Sequence, residues 1–168
     1  MEKKINYFKT YEITDLKDML TKTTSKNAKK IAFKLKDKMG KIINKTYLDF
    51  KKDVEALSTK LINMGLKNKR IAIMGKNSYN WAISYLSATI VGIVVPIDKE
   101  ASNQNVKEFL NVSKSEAIIA DEKYLNEISK FKYELENKTL LIDMQNTSKY
   151  IDLDNLINER KRISFKRE

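Results

Sequence analysis

Between Arg70 and Asp98 the chain changes its hydrophobic pattern three times. Ile71, Ala72, Ile73 and Met74 form an uninterrupted apolar run that stops at Gly75. A short run of this kind, bounded by a turn residue, predicts a strand covered on both faces. Asn77 or Ser78 then caps a helix by accepting from its free N–H groups. Gly92 is expected to end that helix in the left-handed conformation. A second buried run, Ile93 to Ile97, is closed by Pro96 and Asp98. The order strand, helix, strand is a βαβ unit, which predicts an α/β fold with a parallel sheet.

The flanking sequence extends the pattern. Asp15 to Ser25 reads as a helix, with Leu16, Met19 and Leu20 on one face. Ile31, Phe33 and Leu35 alternate with Ala32, Lys34 and Lys36, the signature of a half-buried strand. Lys38-Met39-Gly40-Lys41 turns that strand into a second one through Ile42 and Asn44, giving a hairpin. Thr46 caps a long helix, with Asp49 completing a variant capping box. Phe50, Val54, Leu57, Leu61 and Met64 form its apolar stripe, and Lys51, Lys52, Asp53, Glu55 and Lys60 its opposite, solvated face. Gly65 supplies the stop, and Tyr47 stands at the rim of the core.

Downstream, Ser102 caps a helix with Val106, Phe109 and Leu110. Ala117–Ala120 is a buried strand, and Asp121–Lys130 a helix with Tyr124, Leu125 and Ile128 inward. Thr139–Ile142 is the next strand and Leu153–Arg160 a last helix. Helix-length crossovers between successive strands are what parallel pairing requires, and they are almost always right-handed. The predicted fold is α/β: helix–sheet–helix layers around a mostly parallel sheet, preceded by a β-hairpin. Three segments follow: an arm (1–14), an α/β portion (15–160) and a charged tail (161–168) expected to be disordered.

Composition narrows the chemistry. A chain of 168 residues with 42% hydrophobic and 33% charged content supports one folded core. Cysteine and histidine are both absent, which excludes a Ser-His-Asp triad, a Cys-His dyad and the usual zinc sites. The net charge of +11 comes mostly from dispersed lysines. Arg, the residue favoured for bidentate phosphate contacts, is scarce, so the charge reads as solvated faces rather than a specific nucleic-acid site. The first residues have no apolar signal-peptide core. The apolar region Trp81–Ile97 is shorter than the roughly 20 residues of a membrane span. A cytoplasmic protein is expected.

Few residues invite a chemical reading. Gly75-Lys76-Asn77-Ser78 sits on a strand-to-helix turn, but a phosphate-binding P-loop would need Gly at Arg70 and a hydroxyl at Asn77. A plain turn is the better account, and no GxGxxG is present. Asp152 and Asp154 do not continue into a calcium loop, because Leu156 and Ile157 occupy a ligand position and the required Gly. Asp152–Asp154 reads instead as an acidic cap on the last helix. Trp81, Tyr85 and Leu86 at helical spacing read as core rather than the lining of an acyl channel. Asp98 and Lys99 follow a strand's carboxyl end, where ligand crevices open, but turn formation explains them.

GKNSYNWAISYL followed by GIVVPIDKE resembles the AMP-forming acyl-CoA synthetases of the adenylate-forming, AMP-binding superfamily, and most closely their bacterial long-chain fatty acid branch. Thr46-Tyr47-Leu48-Asp49-Phe50 is similar to that family's T-Y-x-E-F motif, with Asp for Glu. Ala88 to Asp98 is similar to its small-residue, Gly, apolar, Pro-Leu-Asp motif, with Ile for Leu. The resemblance runs in order from Asp15 to Ile142. These are scaffold motifs. The family's Ser/Thr/Gly-rich phosphate loop, its adenine, ribose and Mg²⁺ motifs and its carboxy-terminal lysine have no counterpart here.

The resemblance therefore implies an N-terminal scaffold fragment of a long-chain fatty acid–CoA ligase, inactive alone. It would carry no catalytic, cofactor-binding or metal-binding residue. ATP, Mg²⁺ and CoA would belong to the parent enzyme. The expected partners are the rest of the synthetase, with fatty acid and CoA as its ligands, and other copies of the fragment through self-association. Two alternatives stand beside it: part of an adenylating ligase that loads a carrier protein, or a free-standing basic α/β module for nucleic acid or anionic lipid.

Overall fold

The computed structural model describes residues 12–37, 39–145, 147 and 149–164. In chain order the elements are α1 (Leu16–Asn27), β1 (Ile31–Lys36), β2 (Ile42–Thr46), α2 (Tyr47–Asn63), β3 (Arg70–Met74), α3 (Tyr79–Val91) and β4 (Ile93–Pro96). They continue with α4 (Asn103–Val112), β5 (Ala117–Ala120), α5 (Glu122–Phe131), β6 (Leu140–Asp143), β7 (Ile151–Asp152) and α6 (Leu153–Ser164). A single 3₁₀ turn, Lys132–Glu134, follows α5. The last helix thus continues past Arg160, where the charged tail was expected to start. The first eleven residues of the expected arm, and residues 165–168 of the tail, lie outside the described residues.

The strands β4-β3-β5-β6-β7 form one all-parallel sheet in that order. The antiparallel pair β1–β2 stands apart as a two-stranded hairpin. Alternation along β3 explains the layers. Ile71 and Ile73 face one core with α2, α3 and α6; Ala72 and Met74 face a second core with α4 and α5. Period-two alternation in which both faces are apolar is what a strand sandwiched between helices requires. Ile71, Ala72, Ile73, Ala117, Ile118, Ile119 and Ala120 are all fully buried.

Two expectations change. The run Ile93–Ile97 is not buried throughout: β4 is the edge of the sheet, and Ile93 is 54% exposed. Pro96 fits there because an edge strand has one neighbour only, so a missing N–H costs no ladder bond. Ile97 N–H donates to Ile73 O (2.9 Å) just beyond it. Gly92, secondly, is not left-handed; its φ is −166°. A side chain is excluded by space: a Cβ would run into the backbone of Lys69. The helix caps follow the sequence. Asp15, Thr46, Ser78 and Ser102 each accept from a first-turn N–H, and Thr46 and Asp49 form the reciprocal box.

Candidate functional site

In a doubly wound sheet, ligands bind beyond the carboxyl ends of the strands, where the connections diverge to opposite faces. Here that point lies between β3 and β5. From β3 the chain leaves through α3 on one face; β5 is reached through α4 on the other. The turn after β3 is Gly75-Lys76-Asn77-Ser78, as the sequence places it, and Ser78 is the cap. Its hydroxyl accepts from Trp81 N–H at 3.0 Å.

The turn is braced from the neighbouring strand. Asp121, directly after β5, sends its carboxylate across to the turn, where it accepts from Lys76 N–H (3.0 Å). A Cβ on Gly75 would lie 3.2 Å from the same carboxylate. Asp121 heads α5 but makes no side-chain cap there, because its oxygens point to the turn after β3 instead. The acids after the neighbouring strands are engaged in the same way. Asp143 is fully buried and accepts from Gln145 N–H (2.8 Å), Thr147 N–H (2.9 Å) and the Thr147 hydroxyl (2.6 Å). Asp98 accepts from Glu100 N–H (2.9 Å), and Lys99 pairs with Glu100 (2.9 Å). At this edge Asp98, Asp121 and Asp143 thus each direct a carboxylate at their own loop's or a neighbour's backbone. Such groups fix turns.

A second polar cluster lies where the hairpin meets α2 and α3. Asp53, expected on the solvated face of α2, is only 3% exposed. It follows Phe50 by three positions, so it shares the flank of the apolar stripe. The Tyr79 hydroxyl donates to its carboxylate (2.8 Å), and Lys45 Nζ lies 3.1 Å from the same oxygen. Burial, and then the Asp53 charge, push the Tyr79 phenol well above its ordinary value of 10.0. The Tyr79 ring meets Phe33 edge-on at 5.0 Å, and Phe33 lies 4.9 Å from Phe50. The cluster ties three elements together.

Trp81 and Tyr85 stack at 5.2 Å on α3 and are half-buried, at the margin of the core. Asp152 accepts from Asn155 N–H (3.1 Å), so it caps α6. A shallow cleft of about 580 Å³, lined by Lys132, Tyr133, Lys149 and Tyr150 among others, opens beside β6 and β7. No group of three or more acidic residues suited to a metal ion occurs among the described residues. Nor is any helix among them long and apolar enough to cross a membrane.

A sequence model of the AMP-binding enzyme family matches residues 20–164. The chain belongs to that family. No curated protein sequence matches it. Among solved structures, this AMP-binding chain is similar to the anthranilate CoA ligase AuaEII in complex with anthranoyl-AMP (TM-score 0.73, 15% identity, covering 85% of this chain and 27% of that one). It is also similar to a putative long-chain-fatty-acid CoA ligase from Rhodopseudomonas palustris (TM-score 0.70, 16% identity, 84% and 35%). A third is a benzoate CoA ligase from Burkholderia xenovorans (TM-score 0.70, 19% identity, 87% and 28%). At these identities the likeness is one of fold, and the AMP-binding chain spans about a third or less of each of these proteins. At its sheet edge the Asp121 carboxylate accepts the Lys76 N–H of the turn after β3.

Proposed function

We propose that this chain supplies the first scaffold of an AMP-forming long-chain fatty acid–CoA ligase and has no synthetase activity alone. In the whole enzyme, a fatty acid carboxylate oxygen would attack the α-phosphorus of Mg·ATP, with loss of pyrophosphate. The CoA sulfur would then attack the acyl carbon and AMP would leave with its oxygen. A carboxylate is a poor electrophile until such a leaving group is attached, and the step needs cations and N–H donors around the developing charge. The observation that carries the reading is the family match over residues 20–164, combined with a turn after β3 whose Lys76 N–H is given to Asp121.

The long-chain choice is supported by GKNSYNWAISYL and GIVVPIDKE, the stretches that resemble that branch. The partner we assign is the remainder of the synthetase. The similar structures are about three to four times longer than the part this chain covers. The β4 edge and the outer side of α3, a helix with no charged residue, would lie against that added polypeptide. Pyrophosphate exchange and thioester formation, measured with purified chain, ATP, CoA and palmitate, should stay at background. Turnover above background would overturn the claim of inactivity. Joining the chain to downstream sequence carrying a phosphate loop should restore exchange, with palmitate preferred over benzoate; the reverse preference would overturn the long-chain assignment.

A further inference from the structure

We propose that the β1–β2 hairpin is a docking surface for an anionic lipid bilayer. Residues 29–45 hold seven lysines and one acid, Asp37, out of a net +11 for the whole chain. Lys29, Lys30, Lys34, Lys36 and Lys41 are exposed and enter no ion pair among the described residues. Lys45 differs: it turns inward to Asp53.

Large apolar side chains stand among these cations. Met39 at the tip is 91% exposed, Ile42 59% and Ile43 42%. Ile42 pairs with Lys36 and Ile43 with Leu35, so the two isoleucines leave opposite faces of the ribbon near its end. The result is a wedge with an apolar tip and a basic collar.

The tip is held rather than loose. The one acid of the segment has its carboxylate turned to the backbone, accepting from Met39 N–H (2.9 Å) and Lys41 N–H (2.8 Å). Asp37 N–H donates to Lys41 O (3.0 Å), and Gly40 N–H to Asp37 O (3.0 Å). At the base, Phe33 locks into the ring cluster with Phe50 and Tyr79. A fixed turn presents Met39 outward at little ordering cost on binding.

The chemistry favours lipid over nucleic acid. Lysine collars are attracted to anionic headgroups, and an apolar tip gains by entering the acyl boundary. Nucleic-acid surfaces use Arg forks and aromatic stacking, and this hairpin exposes neither. The proposal rests on the hairpin alone and does not depend on which acid the parent enzyme activates.

The test is flotation of the 168-residue chain with vesicles of phosphatidylcholine, with and without about one third phosphatidylglycerol, at low and high salt. Binding is expected to the anionic vesicles only, falling as salt rises. Each lysine near such a surface is worth roughly fivefold, so K34Q/K36Q/K41Q should weaken it about a hundredfold. M39S/I42S, which removes exposed side chains only, should weaken it at least about tenfold with an unchanged melting transition. Met39→Trp should show blue-shifted emission on anionic vesicles, and this variant decides the matter if the triple substitution fails to fold. No binding to anionic vesicles, binding unaffected by M39S/I42S, an unshifted Trp signal, or tighter binding to duplex DNA than to vesicles would each overturn the proposal.

Discussion

Gly92→Ala separates two reasons for a glycine. A Cβ there would sit closer to the Lys69 carbonyl oxygen than any non-bonded atoms approach, and 2.9 Å and 3.2 Å from Lys69 N and C. All three are backbone atoms. None can swing away, so the start of β3 or of β4 would have to move by on the order of 1 Å to reach contact distance. That oxygen also accepts from Ile93 N–H (3.0 Å), and the next residue, Arg70, is in register with Ile93. Overpacking costs about 1–3 kcal/mol, and a weakened hydrogen bond adds about 1 kcal/mol. We expect a loss of about 3 kcal/mol. Gly65→Ala is the control: its φ is +83° and nothing lies within 4 Å of the added carbon, so only backbone handedness opposes it. That cost is about 1 kcal/mol. Urea unfolding with an m-value near 2 kcal/mol/M would move the midpoint by about 1.5 M for Gly92→Ala and about 0.5 M for Gly65→Ala. A Gly92→Ala midpoint within about 0.25 M of the parent, or a shift smaller than that of Gly65→Ala, would refute the steric argument.

Other outcomes follow from the polar clusters. Asp121→Ala removes the acceptor of the part-buried Lys76 N–H bond and should cost about 1 kcal/mol in the same assay. Thr46→Ala should cost about 1 kcal/mol by opening the capping box. The Thr46 hydroxyl and amide hold the Asp49 carboxyl below its ordinary value of 3.8. Its contribution is therefore present above that pH and lost as pH falls through the lower folded value; Asp49→Asn should flatten this part of an acid-unfolding curve. Tyr79 runs the other way. Its neutral form is favoured in the fold, so above about pH 10 the unfolded chain releases a proton that the folded one keeps, and stability falls. Tyr79→Phe should reduce that alkaline slope, and phenolate absorbance should show one tyrosine titrating only on unfolding. In light scattering, the purified chain should gain mass with concentration through β4 and α3; a concentration-independent monomer would count against an uncovered edge.

The periodic elements were legible. Ile71–Met74, the stripe from Phe50 to Leu61 and the caps at Thr46 and Ser102 are local patterns, and local sequence determines them. β7 carries no sequence signal, because two residues, Ile151 and Asp152, are too short to alternate. The polar clusters carry no local signal for another reason. Asp53 meets Tyr79 across 26 residues, and Asp121 meets Lys76 across 45. Period counting placed Asp53 among solvated charges because helix position says where a side chain starts, not what a distant ring brings to it. For Asp121 the available signal was an acid directly after the four-residue apolar run Ala117–Ala120. Gly92 does end α3, but space rather than handedness requires it: its conflict is with Lys69, which no single-element reading brings near.

Asp121 also bears on how the sheet avoids misalignment. Its carboxylate reaches Lys76 N–H only with β5 aligned as Ile71 to Ala117 and Met74 to Ala120. A one-residue slip of β5 along β3 in either direction would take the acid off the Lys76 N–H, while turning the isoleucines to the wrong helices. Ala117–Ala120 is nearly featureless as a sequence and would tolerate such sliding on hydrophobicity alone. The acid at its end acts as a stop, penalising each shifted pairing and leaving one alignment for the chain to settle into.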